Sequence, residues 1–309
     1  MSGPSPVLGL HHLAIQVQDV AAAERFYVAA ASLQPWPAAQ QLSDVAGARW
    51  LSAANAGLCL LPAAPGASPV RRGVNEAGIT HWCLQTPDIS AVQRRFADAG
   101  AAFHCAPVDL GTGFLYCYAR DPEFNVTEIE CVPPVWADSK PWVAHVNIAT
   151  ADLPRLTAFY AAFLGSPVVR SPRLHGDSRL DAIADLPQVQ LRAAWLHAHN
   201  VQIELMQYSQ PATTLASGRR VAGEPGFAAM VFEVDSLLAA VAHLRHCGGH
   251  VVETSADAHS AQGSDPDGNR LTLLHLQSPA TRAASFQHLP EPFITHRFET
   301  ARSALKQPS

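Results

Sequence analysis

The chain has 309 residues, of which 48% are hydrophobic and 15% charged, with a formal net charge of −5. That length suggests about two domains with room for well-buried cores, and the mild negative charge offers no basic surface to nucleic acid or anionic lipid. The six cysteines form no CxxC pair or disulfide-like framework, no apolar run approaches a membrane span, and the first residues lack a basic region followed by a long apolar one. The sequence therefore points to a soluble, cytoplasmic protein with no membrane or nucleic-acid partner.

In chain order, residues 7–62 open with a strand in which Leu13, Ile15 and Val17 alternate with His12, Ala14 and Gln16, followed by the helix AAAERFYVAAASL. Period two of this kind marks a half-buried strand. His12 lies seven residues before Asp19, a natural helix N-cap. The sentence is then rewritten: ITHWCLQTPDISAVQRRF puts His81 seven residues before Asp88, and WVAHVNIATADLPRLTAFY puts His145 seven before Asp152. GFAAMVFEVDSLLAAVAHL keeps the strand and Asp235 but carries Ala228 in the histidine's place. Each copy closes on a short apolar run, GLCLLPA, NVTEIECV, VQIELMQY or NRLTLLHL, and two of these are interrupted by Glu128 and Glu204.

A repeat of roughly seventy residues is longer than a solenoid unit, so each copy reads as a small βαβββ module. Gly100 and Gly165 fit helix C-termini, while RDPEFN and SDPDGN fit turns between strands. The proline-rich break PPVWADSKP divides the chain into 7–133, holding modules one and two, and 142–277, holding modules three and four. Residues 278–309 are expected to form an arm packed on the body, with a helical pattern in FETARSAL.

A single histidine on a strand is an ordinary core or surface residue. Here three of four modules place one at the same inward position, and two of four place a glutamate on the last strand. Imidazole plus carboxylate at fixed positions suits one divalent metal of the Zn, Fe, Mn, Co or Ni kind. The cluster His243, His246, Cys247 and His250 spans a helix end and reads as solvated polar residues. His11 should face away from His12, and Cys59 reads as a small buried residue.

The repeated HxxIxVxD strand with its helix, the DPDGN turn, and Glu128 three residues after Asn125 resemble the vicinal oxygen chelate superfamily. That group contains glyoxalase I, methylmalonyl-CoA epimerase, bleomycin-resistance proteins and extradiol dioxygenases. The resemblance runs to about Gln277 and implies an α+β fold in which four βαβββ modules pair into two open mixed-sheet barrels, with metal ligands on the first and last strand of each module. Those slots hold His12 and Cys59, His81 and Glu128, His145 and Glu204, then Ala228 and Thr272.

Two pairings follow. If neighbouring modules pair, His12, His81 and Glu128 share a barrel, a set suited to a non-haem Fe(II) oxygenase. If modules two and three pair, His81, Glu128, His145 and Glu204 meet, and every lost ligand falls in the other barrel. The second arrangement is preferred because a redundant site should lose its ligands together.

The resemblance then implies a metal-dependent isomerase or lyase of the glyoxalase or epimerase type. The ion would chelate adjacent oxygens of a small substrate while Glu204 or Glu128 moves a proton. Tyr118, Gln85 and Asn147 are candidates for orienting that substrate. An extradiol ring-cleaving dioxygenase using His12, His81 and Glu128 is the first alternative. Its signature is broken: Tyr118 stands ten residues before Glu128, but VDLGTGF has no histidine, and Cys117 and Phe124 depart from the pattern. A metal-free small-molecule binder like the bleomycin-resistance proteins is the second. Four modules in one chain complete both barrels, so either a monomer or a homodimer is expected.

Overall fold

The computed structural model describes residues 4–42, 45–132, 140–215, 223–255 and 259–305. Module one contains β1 (Val7–Val17), α1 (Val20–Ala31), β2 (Gln34–Pro35), β3 (Arg49–Ser52) and β4 (Gly57–Pro62). Module two contains β5 (Gly78–Thr86), α2 (Ile89–Asp98), β6 (Ala102–Phe103), β7 (Val108–Asp109), β8 (Leu115–Arg120) and β9 (Val126–Cys131). Module three follows with β10 (Trp142–Ala149), α3 (Leu153–Leu164), β11 (Val168–Gly176), α4 (Ser178–Ala184), β12 (Gln190–Ala198) and β13 (Val201–Gln210). Module four holds β14 (Gly226–Val234), α5 (Leu237–His246), β15 (His250–Thr254), β16 (Ser260–Ser264) and β17 (Arg270–Leu274). The tail adds α6 (Pro279–Arg282) and α7 (Ile294–Leu305). The break at 133–139 lies outside the described residues.

Each main helix starts where a side-chain oxygen takes up an otherwise unpaired backbone N–H. Asp19, Asp88 and Asp152 accept from Ala22, Ala91 and Arg155. In module four the cap is Ser236, accepting from Ala239. There the expected Asp235 instead lies one residue ahead of the cap. The apolar stripes Phe26–Tyr27, Val92–Phe96 and Leu156–Phe159–Tyr160–Phe163 are buried against the strands, which is what fixes these otherwise marginal helices in place.

The strands form two mixed sheets, neither of them closed. One runs β15-β16-β17-β14-β1-β4-β3-β2, the other β11-β12-β13-β10-β5-β9-β8-β6, with β7 also on β8. Modules one and four thus share a sheet, and modules two and three share the other. At each centre two first strands meet antiparallel, β1 with β14 and β5 with β10, each flanked by a parallel last strand. The centres are deeply buried: all eight residues of β10 are inaccessible or nearly so.

Three polar devices tie the halves together. Asn55 and Asn200 occupy equivalent β-turns and are fully buried. Asn55 donates to Val143 O and Asn200 O and accepts from Val143 N, while Asn200 donates to Leu10 O and Asn55 O and accepts from Leu10 N, all at 2.8–2.9 Å. The aspartates of the two predicted turns receive a helix tyrosine from the preceding module: Tyr27 donates to Asp121 (2.7 Å) and Tyr160 to Asp265 (3.0 Å). The tail packs on the body, with Phe286 and Phe298 buried and Thr295 donating to Val143 O at 2.9 Å.

Each central pair is interrupted by β-bulges. The one between Leu10 and His12 corrects an expectation from simple alternation. His11 does not face away from His12, because the extra residue turns both rings to one side, and their Nδ1 atoms lie 2.8 Å apart.

Candidate metal centre

The register of the second sheet brings four predicted side chains together. Across β9, β5 and β10, Glu128 pairs with Cys83 and Cys83 with His145. Across β5, β10 and β13, His81 pairs with Asn147 and Asn147 with Glu204. Each histidine is thus two strands from the glutamate in its own row, and the two rows are adjacent on one face. Side chains longer than the strand spacing can then converge over Cys83 and Asn147.

One ligand atom from each of His81, Glu128, His145 and Glu204 lies within 4.8 Å of all the others. His145 Nε2 is 2.9 Å from Glu128 Oε2 and 3.1 Å from Glu204 Oε2; His81 Nε2 is 3.1 and 3.5 Å from the same two atoms. Donors held about 2.1 Å from one shared ion stand about 3.0–3.4 Å apart along a coordination edge, so the set has the spacing of a mononuclear site. Two neutral imidazoles and two carboxylates carry the charge that balances a divalent cation. All four side chains are buried, a costly arrangement without an ion to compensate it.

Burial alone would raise the Glu128 carboxyl. The His145 and His81 rings beside it outweigh that and hold it below the usual carboxylate range. For Glu204 burial acts the same way and is again overcome, chiefly by His145, and its carboxyl lies further down. His145 would be lowered by burial but is raised well above an ordinary histidine by Glu204, Cys83 and Glu128. Both carboxyls are therefore poised as anions.

The supporting shell is also built. Asn147 donates to Glu204 Oε2 at 2.9 Å and accepts from Thr80 Oγ1 at 2.6 Å. That hydroxyl lies 3.2 Å from His81 Nδ1, and Cys83 stands opposite His145 in the strand register. The Nδ1 side of the His81 ring is thus held, the support that a metal-bound histidine would need. Thr80 and Cys83 were not singled out from the sequence. Thr80 reaches its ring because the strand bulges between His81 and Ile79, and Cys83 shows no sign in sequence beyond lying two residues after His81. Tyr118 Oη is 3.3 Å from His81 Nε2, and burial raises its phenol well above the ordinary range, so it is a neutral donor here. Gln85 is engaged elsewhere, donating to Glu130 at 2.7 Å.

His12 is not part of this set. It stands on β1 in the other sheet, so the His12, His81 and Glu128 combination does not assemble. Cys59 is buried in that same sheet, its thiol pushed up to about 12 by desolvation. The His243 group does not converge on an ion among the described residues. His243 instead contacts Phe163 O at 3.1 Å, and Cys247 lies beside it.

The model of the Glyoxalase/Bleomycin resistance protein/Dioxygenase superfamily matches residues 9–129 and again 142–273. The chain belongs to this superfamily. Glyoxalase I from Zea mays is similar in structure, with a TM-score of 0.63 and 14% identity over 93% of this chain and 96% of that one. A putative dioxygenase from Bacillus subtilis subsp. subtilis str. 168 aligns with a TM-score of 0.61 and 12% identity over 98% and 96%. Identities this low bear on the fold alone. No curated protein matches the sequence. Among the described residues no helix is long and apolar enough to cross a membrane.

Proposed function

We propose that this superfamily member is a divalent-metal-dependent isomerase or lyase acting on a small substrate with two adjacent oxygens. The observation that carries the reading is the convergence of His81, Glu128, His145 and Glu204 at coordination spacing. When bound, the ion supplies Lewis-acid polarisation of a carbonyl and steadies negative charge on the neighbouring oxygen.

The chain's own residues supply the proton transfer. A carboxylate beside the reacting carbon is the natural base, and the two candidates differ in how firmly they are held. Glu204 takes an amide N–H from Asn147 as well as the two histidines. Among the described residues Glu128 takes only the histidines. Glu128 is therefore the carboxylate assigned to leave its resting place and accept the proton, with Glu204 the fixed partner. Tyr118, on the strand paired with Glu128, is assigned the role of donating to a substrate oxygen. Ile183, Ala184, Val189, Leu191 and Tyr208 pack with Tyr118 into an apolar wall that excludes water from the reacting carbon.

The test is exchange of the substrate's α-hydrogen into D₂O by metal-loaded protein, surveyed over α-hydroxy thioesters and the hemithioacetals of 2-oxoaldehydes. Glu128→Gln should abolish exchange while keeping metal, and Glu204→Gln should weaken metal binding first. Oxygen uptake with catechols and no exchange would overturn the reading in favour of ring cleavage. A wild type that takes up no ion on reconstitution would leave the barrel a metal-free binder.

A further inference from the structure

The sheet shared by modules one and four lacks the ligand set, yet it carries a cavity of about 740 Å³. That volume lies in the range of small-molecule sites, roughly 300–1,000 Å³. Its lining mixes apolar residues such as Leu61, Val231 and Ala228 with polar ones such as Gln16 and Thr272, together with Trp50 and His12; among the described residues no Asp or Glu lines it, and Arg270 is its one Lys or Arg.

The protonation pattern of His12 follows from its partners. His11 Nε2 is 2.7 Å from the carbonyl oxygen of Ala284, which can only accept, so that nitrogen carries the hydrogen. Burial holds His11 neutral, pushed down to about 4, and a neutral imidazole has one N–H. His11 Nδ1 is then bare, and the 2.8 Å contact is a hydrogen bond donated by His12 Nδ1. His12 is likewise held neutral, by burial first and by His11 second. Its Nε2 is left as a lone pair with no partner among the described residues. His11 is itself clamped by stacking on Trp36, with ring centroids 4.9 Å apart, so the tautomer is built in rather than incidental. Trp50 stands edge-on to His12 at 4.6 Å, and its buried indole N–H has no acceptor among the described residues.

We propose that this cavity is a second small-molecule site, separate from the metal centre, for a ring compound whose hydroxyl donates to His12 Nε2. The apolar part of the wall, with Trp50, Leu61 and Val231, suits a ring, and the fixed acceptor selects a ligand with an O–H over its ether. Nothing in the proposal depends on the metal-centre reading.

The probe is 2-naphthol, titrated calorimetrically into the full-length protein beside 2-methoxynaphthalene, which has the ring but no donor. One equivalent of 2-naphthol should bind, about threefold to tenfold more tightly than the ether, the value of one neutral hydrogen bond. His12→Phe should erase that preference. Ala228→Phe, which pushes a ring into the cavity from the neighbouring central strand, should weaken binding of both compounds and serves if His12→Phe does not fold. His145→Ala should change neither affinity. Equal affinity for the two probes, a preference that survives His12→Phe, loss of binding in His145→Ala, or no saturable binding would each overturn the proposal.

Discussion

Replacing His145 by alanine tests the metal centre most directly. In the proposed site the ring is one of four donors; it stands 2.9 and 3.1 Å from the two carboxylates, so its removal would open the set and leave Glu128 and Glu204 facing each other with one histidine between them. Structural zinc sites with four ligands bind with about 10–16 kcal/mol, or about 3 kcal/mol per ligand if shared evenly. At about 1.4 kcal/mol per tenfold, losing one ligand should weaken binding about a hundredfold or more. The wild type should hold one equivalent after dialysis, measured by inductively coupled plasma mass spectrometry. His145→Ala should hold almost none, and competition with a chromophoric chelator should give the shift in Kd. His12→Ala should keep the wild-type metal content. If His145→Ala retains its ion and His12→Ala loses it, the reasoning from sheet register is wrong.

Asn147→Leu removes the donor to Glu204 and the acceptor for Thr80, and should cost about tenfold to a hundredfold in metal affinity in the same chelator competition, with the fold intact by circular dichroism. Asn55→Ala strands buried backbone groups of Val143 and Asn200, and should lower unfolding free energy by about 2–4 kcal/mol in urea denaturation; an effect below 0.5 kcal/mol would remove the cross-half clamp from the account. Stability should also depend on acid through His11, faced by His12 and held at about 4 by burial. Below an exposed histidine's pKa of about 6.5 the unfolded chain binds the proton and the folded one does not, so stability falls by up to about 3 kcal/mol as pH drops from about 6.5 to 4. Urea titrations of metal-free protein at both ends should show that loss reduced in His11→Phe.

The four modules were legible because their signal is repetitive: a strand, an aspartate and an apolar helical stripe recur with one spacing. The convergence of the four candidate side chains was legible for a different reason. The positions lost, Cys59, Ala228 and Thr272, fall together once modules two and three are paired, and the strand order bears out that pairing. What stayed hidden are features without periodicity. A bulge adds one residue and reverses the facing of His11, and no spacing in the sequence announces it. Thr80 and Cys83 matter only through the pairing of β5 with β10, and Asn55 and Asn200 are unremarkable turn residues until each is seen to reach a strand of the other half. Ser236 took over from Asp235 because either oxygen can cap, and tertiary packing decided the register.

The nesting of the strands has a consequence for how the molecule is made. The sheet of modules two and three is assembled from residues 78–210, an unbroken stretch that can pair as soon as it leaves the ribosome. Module one emerges earlier but must wait: Leu13 faces Met230 across the other central pair, so β1 keeps an open, apolar edge until nearly the whole chain has been translated. Such an edge is a site for mispairing and aggregation. The nascent protein therefore gathers His81, Glu128, His145 and Glu204 while the floor of the second cavity does not yet exist, and slow synthesis late in the message would expose β1 more than any other strand.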